Sequence, residues 1–179
     1  DIACGPGYVA GAAAARGADA IGVDFAVAMV EEASKRFPQA EFREGDAENL
    51  PFQENTFDAV ICPFSLLHMA DADKAISEAF RVLKPGERYA FTVWDTPDKH
   101  AFLAIILGAI QKYGTLDVQL PASPPIFRFS DPAECRKTMT GAGFVDVEVE
   151  VIVPIWKTDS ADQVIGLIDN SAVRTPMLI

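Results

Sequence analysis

No Cys-x-x-Cys pair occurs in the chain, and its three cysteines, Cys4, Cys62 and Cys135, are odd in number. Neither a disulfide framework nor a zinc site can be read from them, and no metal is expected. Basic residues are short: 15 Lys and Arg face 26 Asp and Glu, for a net charge of −11. Sequence-independent nucleic-acid binding neutralises phosphates with Lys and Arg, so this balance argues against a nucleic-acid partner. It argues equally against docking on an anionic membrane. Long apolar runs are missing too, the longest (101–110) falling well short of the ~20 residues a membrane helix needs. Repeats and low-complexity segments are absent. What is present suits a globular protein: 179 residues, 50% hydrophobic and 23% charged, enough for a single domain with a proper core. Residues 1–179 are read as that domain, expected in the cytoplasm, with two halves over 1–94 and 95–179. The chain opens in mid-strand at Asp1 and stops on apolar Pro176-Met177-Leu178-Ile179, which predicts a fragment trimmed at both ends.

Periodicity and punctuation predict alternating strands and helices. Strands are expected at 1–3, 20–24, 40–44, 57–62, 88–94 and 144–154. Helices are expected at 8–16, 27–37, 73–83 (with Asp71 or Asp73 as N-cap), 100–113, 131–140 and 161–169. The fourth strand is nearly all apolar, as in a parallel strand buried on both faces. The sixth alternates strictly through Val145-Asp146-Val147-Glu148-Val149-Glu150-Val151, and charges of that kind fit a sheet edge. Strand–helix alternation throughout predicts an α/β protein with a doubly wound, mostly parallel sheet.

Ligands of open α/β sheets bind beyond the carboxyl ends of the strands, where strand order reverses. After the first strand comes Cys4-Gly5-Pro6-Gly7, whose glycines let a ligand approach the backbone. The helix that follows aims its N-terminus at the same spot, favouring a carboxylate or phosphate. After the second strand comes Asp24, able to accept both ribose hydroxyls. After the third comes Gly45-Asp46-Ala47, where a carboxylate could accept from the exocyclic amine of adenine. Each has a plainer reading: turn chemistry for the glycines, a helix cap for Asp24, a surface turn for Asp46. Their order at successive strand ends favours a nucleoside site.

Two nucleoside cofactors compete for it. Gly5-Pro6-Gly7-Tyr8-Val9-Ala10 satisfies the G-x-G-x-x-G/A fingerprint, so an NAD(P)-dependent oxidoreductase of Rossmann type is one alternative. Against it, Asp1 stands four before Gly5, where dinucleotide folds place an apolar residue and where a carboxylate suits an ammonium group. The Asp46 turn adds an adenine reader, and no Tyr-x-x-x-Lys pair is present. An inactive or fragmentary cofactor-binding module is the other alternative.

Asp1-Ile2-Ala3-Cys4-Gly5-Pro6-Gly7 resembles the first motif of class I S-adenosylmethionine-dependent methyltransferases. Ile21-Gly22-Val23-Asp24-Phe25 with Met29 resembles their second strand. Residues 44–52 with 57–61 are similar to their adenine-reading stretch, and Arg81-Val82-Leu83-Lys84-Pro85-Gly86-Glu87 to the turn that opens their fifth strand. The likeness spans 1–94 and is nearest to the UbiE-like, small-molecule branch (methyltransferase type 11 domain). It implies a Rossmann-like methyltransferase fold of strand order 3-2-1-4-5-7-6, here lacking the seventh strand. It also implies S-adenosyl-L-methionine as cofactor, with Asp1, Ala3, Cys4, Gly5 and Gly7 at its methionine end and Asp24 on the ribose. Phe25 and Met29 would pack beside the adenosine, Asp46 and Ala47 would read the adenine, and Cys62 and Phe64 would face the sulfonium. The implied reaction is in-line methyl transfer to a small, apolar or aromatic acceptor, a step that orientation alone favours strongly. His68, close behind the fourth strand, is the candidate general base.

Overall fold

In the computed structural model, which describes residues 1–99, 101–114, 125–153, 157, 159–163 and 166, the predicted alternation is found. The order is α1 (Tyr8–Ala14), β1 (Ile21–Asp24), α2 (Val27–Arg36), β2 (Glu41–Glu44), β3 (Phe57–Pro63), α3 (Ala72–Val82), β4 (Leu83–Thr92), α4 (Ala101–Tyr113) and α5 (Pro132–Gly141). Single 3-10 turns occupy Leu66–His68 and Arg128–Ser130. Two compact units result: Asp1–Thr96 with Ala122–Val149, and Pro97–Pro121 with Glu150–Ile179. The sheet lies in the first and α4 in the second.

β1 pairs in parallel with β2, and β3 in parallel with β4. The Asp1–Cys4 segment runs between the two pairs. Ile2 N–H donates to Ile61 O (2.8 Å), Val23 N–H to Asp1 O (2.9 Å) and Cys4 N–H to Val23 O (3.0 Å). The spatial order is therefore β2, β1, the Asp1–Cys4 segment, β3, β4, which is the expected 3-2-1-4-5 portion. Strand order reverses beside that segment, so its loop sits at the switch point where ligands bind.

The core lies on the α3 and α5 side. Ala72, Ala75, Ile76, Ala79 and Val82 are buried at helical spacing along α3, and they pack with Ile2, Val23, Val60, Cys62, Cys135 and Met139. Fully burying Ile76 or Val82 stabilises by about 1.5–3 kcal/mol each. Asp71 proves to be the α3 cap, accepting from Lys74 N–H at 3.0 Å. Asp131 caps α5 through Ala133 N–H, with Pro132 at the first helical position, where its missing N–H does no harm. Arg128 clamps these two helices together, reaching Asp73 (2.8 and 2.9 Å) on α3 and Glu134 (2.8 and 2.9 Å) on α5.

Three expectations need correction. β3 is not buried on both faces: Val60 and Cys62 are inside, Ile61 is half-buried, and Asp58 and Ala59 are exposed. Alternation sends the even residues to α3, while the odd ones face a side with less cover among the described residues. β4 begins at Leu83, so Lys84-Pro85-Gly86 does not precede the strand but interrupts it. Phe57 faces Leu83 and Ala59 faces Arg88, with the register broken between them. The sixth strand is not formed: residues 144–153 carry no ladder, although Phe144, Val147 and Val149 pack on the core and Val145 is exposed. Its side-chain alternation is real, but a strand needs a neighbour to bond, and none among the described residues pairs with it. His100, residues 115–124, Pro154 and most of the last predicted helix lie outside the described residues, 161–163 and 166 being helical.

Candidate cofactor site

The loop after the Asp1–Cys4 segment turns through left-handed backbone at Ala3 (φ +51°), Gly5 (+52°) and Gly7 (+80°). Its two motif glycines serve different ends. A side chain at Gly5 would meet nothing within 4 Å, so that face is open. At Gly7 a Cβ would fall 2.7 Å from the Phe42 ring and 2.8 Å from Ala33. Gly7 is therefore a packing requirement of α1 against α2 and β2, a role its sequence neighbours do not reveal.

Asp24, at the tip of β1, is only 7% exposed. One carboxylate oxygen accepts from Gly5 N–H (2.8 Å) and the other from Ala26 N–H (2.9 Å). The side chain so expected to hold a ribose also holds the glycine loop, with lone pairs remaining on both oxygens. Asp24 O in turn accepts from Gly45 N–H at 3.0 Å, which draws the Asp46 turn to the same edge.

Asp1 alters the electrostatics most. Its Oδ2 accepts from Ala10 N–H in the first turn of α1 (3.0 Å). The helix N-terminus, expected to await an anionic ligand, thus already has an acid of the chain's own. The other oxygen, Oδ1, is buried with no hydrogen-bond partner. Leaving a buried acceptor unpaired costs roughly 1–3 kcal/mol. A buried carboxylate oxygen without a partner suits an ammonium donor better than a phosphate.

The Asp46 turn is held from α3. Asp46 is exposed and its Oδ1 accepts from Glu48 N–H (2.8 Å), closing an Asx turn. Ala47 is half-buried. Glu48 accepts from Asp71 N–H (2.8 Å), and Glu78 from Leu50 N–H (2.8 Å). Arg81 donates to Phe52 O (2.7 Å), Leu50 O (3.1 Å) and the Glu78 carboxylate (2.7 Å). An i, i+3 pair such as Glu78 and Arg81 is legible as a helix-face ion pair, but nothing in the sequence marks its grip on the loop. Arg81→Ala strands two carbonyls and a carboxylate, so urea unfolding should show a loss of about 2 kcal/mol. Phe25, 79% exposed, and Met29, half-buried, follow Asp24.

At the end of β3 the sequence candidates divide. Cys62 is 0% exposed, inside the core cluster, and burial pushes its thiol up to about 11. Its side chain is withdrawn from any ligand, because even positions of β3 point toward α3. Cys4 is buried likewise and its thiol also pushed up to about 11, again by burial first, which leaves it only backbone to offer. Phe64, by contrast, is part exposed with φ +55°. Ser65, which sequence reasoning missed for want of any motif, is buried, its hydroxyl shared between Pro63 O (2.8 Å) and Ala3 O (3.1 Å). It fastens the turn after β3 to the loop after Asp1. His68 closes the 3-10 turn, its side chain in part desolvated, so its pKa is lowered. Among the described residues no group of three or more His, Cys, Asp or Glu could hold a metal ion, and no helix is long and apolar enough to cross a membrane.

A parallel sheet with acids and a glycine loop on its switch-point rim defines an α/β protein of the nucleoside-cofactor class. The chain belongs to the Methyltransferase domain family, which it matches over residues 1–91. A demethylmenaquinone methyltransferase from Beutenbergia cavernae is 34% identical over 125 residues, covering 70% of this chain and 52% of its own. A ubiquinone/menaquinone biosynthesis C-methyltransferase UbiE from Geotalea daltonii is 28% identical over 168 residues, covering 83% and 70%. The crystal structure of a SAM-dependent methyltransferase from Thermotoga maritima superposes with a TM-score of 0.59 at 26% identity, covering 81% of this chain and 62% of that one. The chain spans about half the length of the first of these relatives. The fold is thus the Rossmann-like methyltransferase fold and the cofactor of the family is S-adenosylmethionine. The oxidoreductase alternative finds no support.

Proposed function

We propose that the whole protein transfers a methyl group from S-adenosylmethionine to a small acceptor of quinone type, in the cytoplasm. The observation that carries the cofactor half of this reading is the buried, unpartnered Oδ1 of Asp1, an acceptor matched to the ammonium of a methionine tail. The acceptor class is supported by relatives named for demethylmenaquinone and ubiquinone/menaquinone methylation, and the compartment by three cysteines that are all free. The cofactor supplies an electrophilic methyl on a sulfonium. The chain's own residues bind and orient: Asp1 takes the ammonium, Gly5 leaves room beside the backbone, and Asp24 receives ribose hydroxyls on its remaining lone pairs. Phe25 and Met29 flank the adenosine, Asp46 and Ala47 meet the adenine, and Ala3 and Gly7 shape the loop. Phe64 stands on the acceptor side. Calorimetry with S-adenosylhomocysteine and NADH tests the reading: the first is expected to bind and the second not. Preference for NADH would overturn it.

His68 is assigned as the base that takes the acceptor's proton. Its lowered pKa keeps the imidazole neutral, and so proton-accepting, at pH 7. Activity should fall as the pH drops through the histidine range, and His68→Gln should lower kcat about 10²-fold or more without changing nucleoside affinity. Stability carries the same sign. Burial opposes the imidazolium in the folded chain, so this contribution is complete above the ordinary histidine pKa of about 6.5 and declines below it. A His68→Gln enzyme with an unchanged pH–rate profile would exclude the role.

A further inference from the structure

We infer that Phe64 and Trp94 form an aromatic wall on which the flat ring of the methyl acceptor stacks. The inference rests on the methyltransferase reading and adds the feature that selects the acceptor. Phe64 leaves β3 and Trp94 follows β4, so both stand at carboxyl ends of neighbouring strands, the rim that takes ligands in open α/β sheets. Their rings are stacked, with centroids 4.3 Å apart and planes inclined by 28°. Phe64 nevertheless keeps 41% of its surface exposed and Trp94 38%.

The wall is braced from behind. A left-handed φ of +55° at Phe64 is a conformation that a bulky residue adopts only under constraint, and such residues cluster at functional sites. The constraint is Thr92, whose carbonyl (2.9 Å) and hydroxyl (3.2 Å) both accept from Phe64 N–H. Trp94 O accepts from the Ser130 hydroxyl at 2.8 Å, next to the α5 cap. Ser65 then ties the Phe64 turn to Ala3, placing the wall beside the loop assigned to the cofactor. A third ring laid on the exposed Phe64 continues such a stack favourably, whereas a saturated ring of equal size gains only contact area. The acceptor selected is therefore flat and aromatic or quinone-like.

The test is calorimetric binding of 2-naphthol, and of its saturated counterpart 2-decalol, to the full chain saturated with S-adenosylhomocysteine. The unmodified protein is expected to bind naphthol about tenfold more tightly than decalol. Trp94→Leu and Phe64→Leu should erase that preference, Trp94→Phe should keep most of it, and nucleoside affinity should be the same in the two Trp94 variants. Phe64→Gly, which relieves the backbone while removing the ring, repeats the test should Phe64→Leu fold poorly. Equal binding of the two alcohols by the unmodified protein, or an undiminished preference in Trp94→Leu, overturns the inference. Failure of the unmodified chain to bind the nucleoside would instead overturn the methyltransferase reading beneath it.

Discussion

Alanine in place of Asp24 is expected both to destabilise the sheet-bearing unit and to abolish nucleoside binding. The carboxylate accepts two backbone hydrogen bonds, from Gly5 and Ala26, and bonds to a charged acceptor contribute about 1.5–3 kcal/mol each. Deleting both while leaving the donors short of partners should cost about 3 kcal/mol or more, a large share of the roughly 5–15 kcal/mol that holds a domain together. The urea midpoint should fall accordingly. Affinity for S-adenosylhomocysteine should drop by more than about 100-fold, because the ribose loses its acceptor and the Gly5 loop its tether. Asp24→Asn, which keeps one acceptor oxygen but turns an amide N–H₂ toward a backbone donor, should lie between. Native stability and affinity in Asp24→Ala would contradict the geometry on which the site is built.

Asp1→Asn separates binding from folding more cleanly. The amide oxygen can still accept from Ala10 N–H, so α1 keeps its cap and the unfolding curve should move little. The amide nitrogen then takes the position of the unpartnered Oδ1 and presents donors to an ammonium. Removing the charge and reversing the hydrogen bond should weaken S-adenosylhomocysteine by about 30-fold, in line with roughly 2 kcal/mol for a charged hydrogen bond. An analogue without its amino group should bind the variant and the unmodified protein alike. Equal loss for both analogues would place the ammonium elsewhere.

Local chemistry made much of this legible. Gly5 and Asp24 fall at the ends of short apolar runs, and the Asp71 and Asp131 caps announce their helices, because turns and caps depend on a few adjacent residues. What stayed hidden depends on contacts across the fold. Gly7 is needed by Phe42, thirty-five positions away. Cys62 points inward because pairing sets the parity of β3. Ser65 and Arg81 act on backbone carbonyls of distant loops, which leaves no trace in residue type. The 144–153 segment reads as a strand because its side chains alternate, yet alternation reports packing on one face and says nothing about a bonding neighbour. A nucleoside site was legible from the motif order and an ammonium partner from Asp1; the bond of Asp1 to Ala10 N–H at the α1 terminus was not.

That occupied terminus has a consequence for life among competitors. A cell holds many adenosine compounds, and most carry phosphates. A bare helix end beside the glycine loop would welcome all of them. With Asp1 already seated there, an approaching phosphate should meet negative charge, and an adenosine whose tail ends in a cation should be preferred. The NADH arm of the titration would thus measure how far one side chain filters adenosine compounds by the charge of their tails.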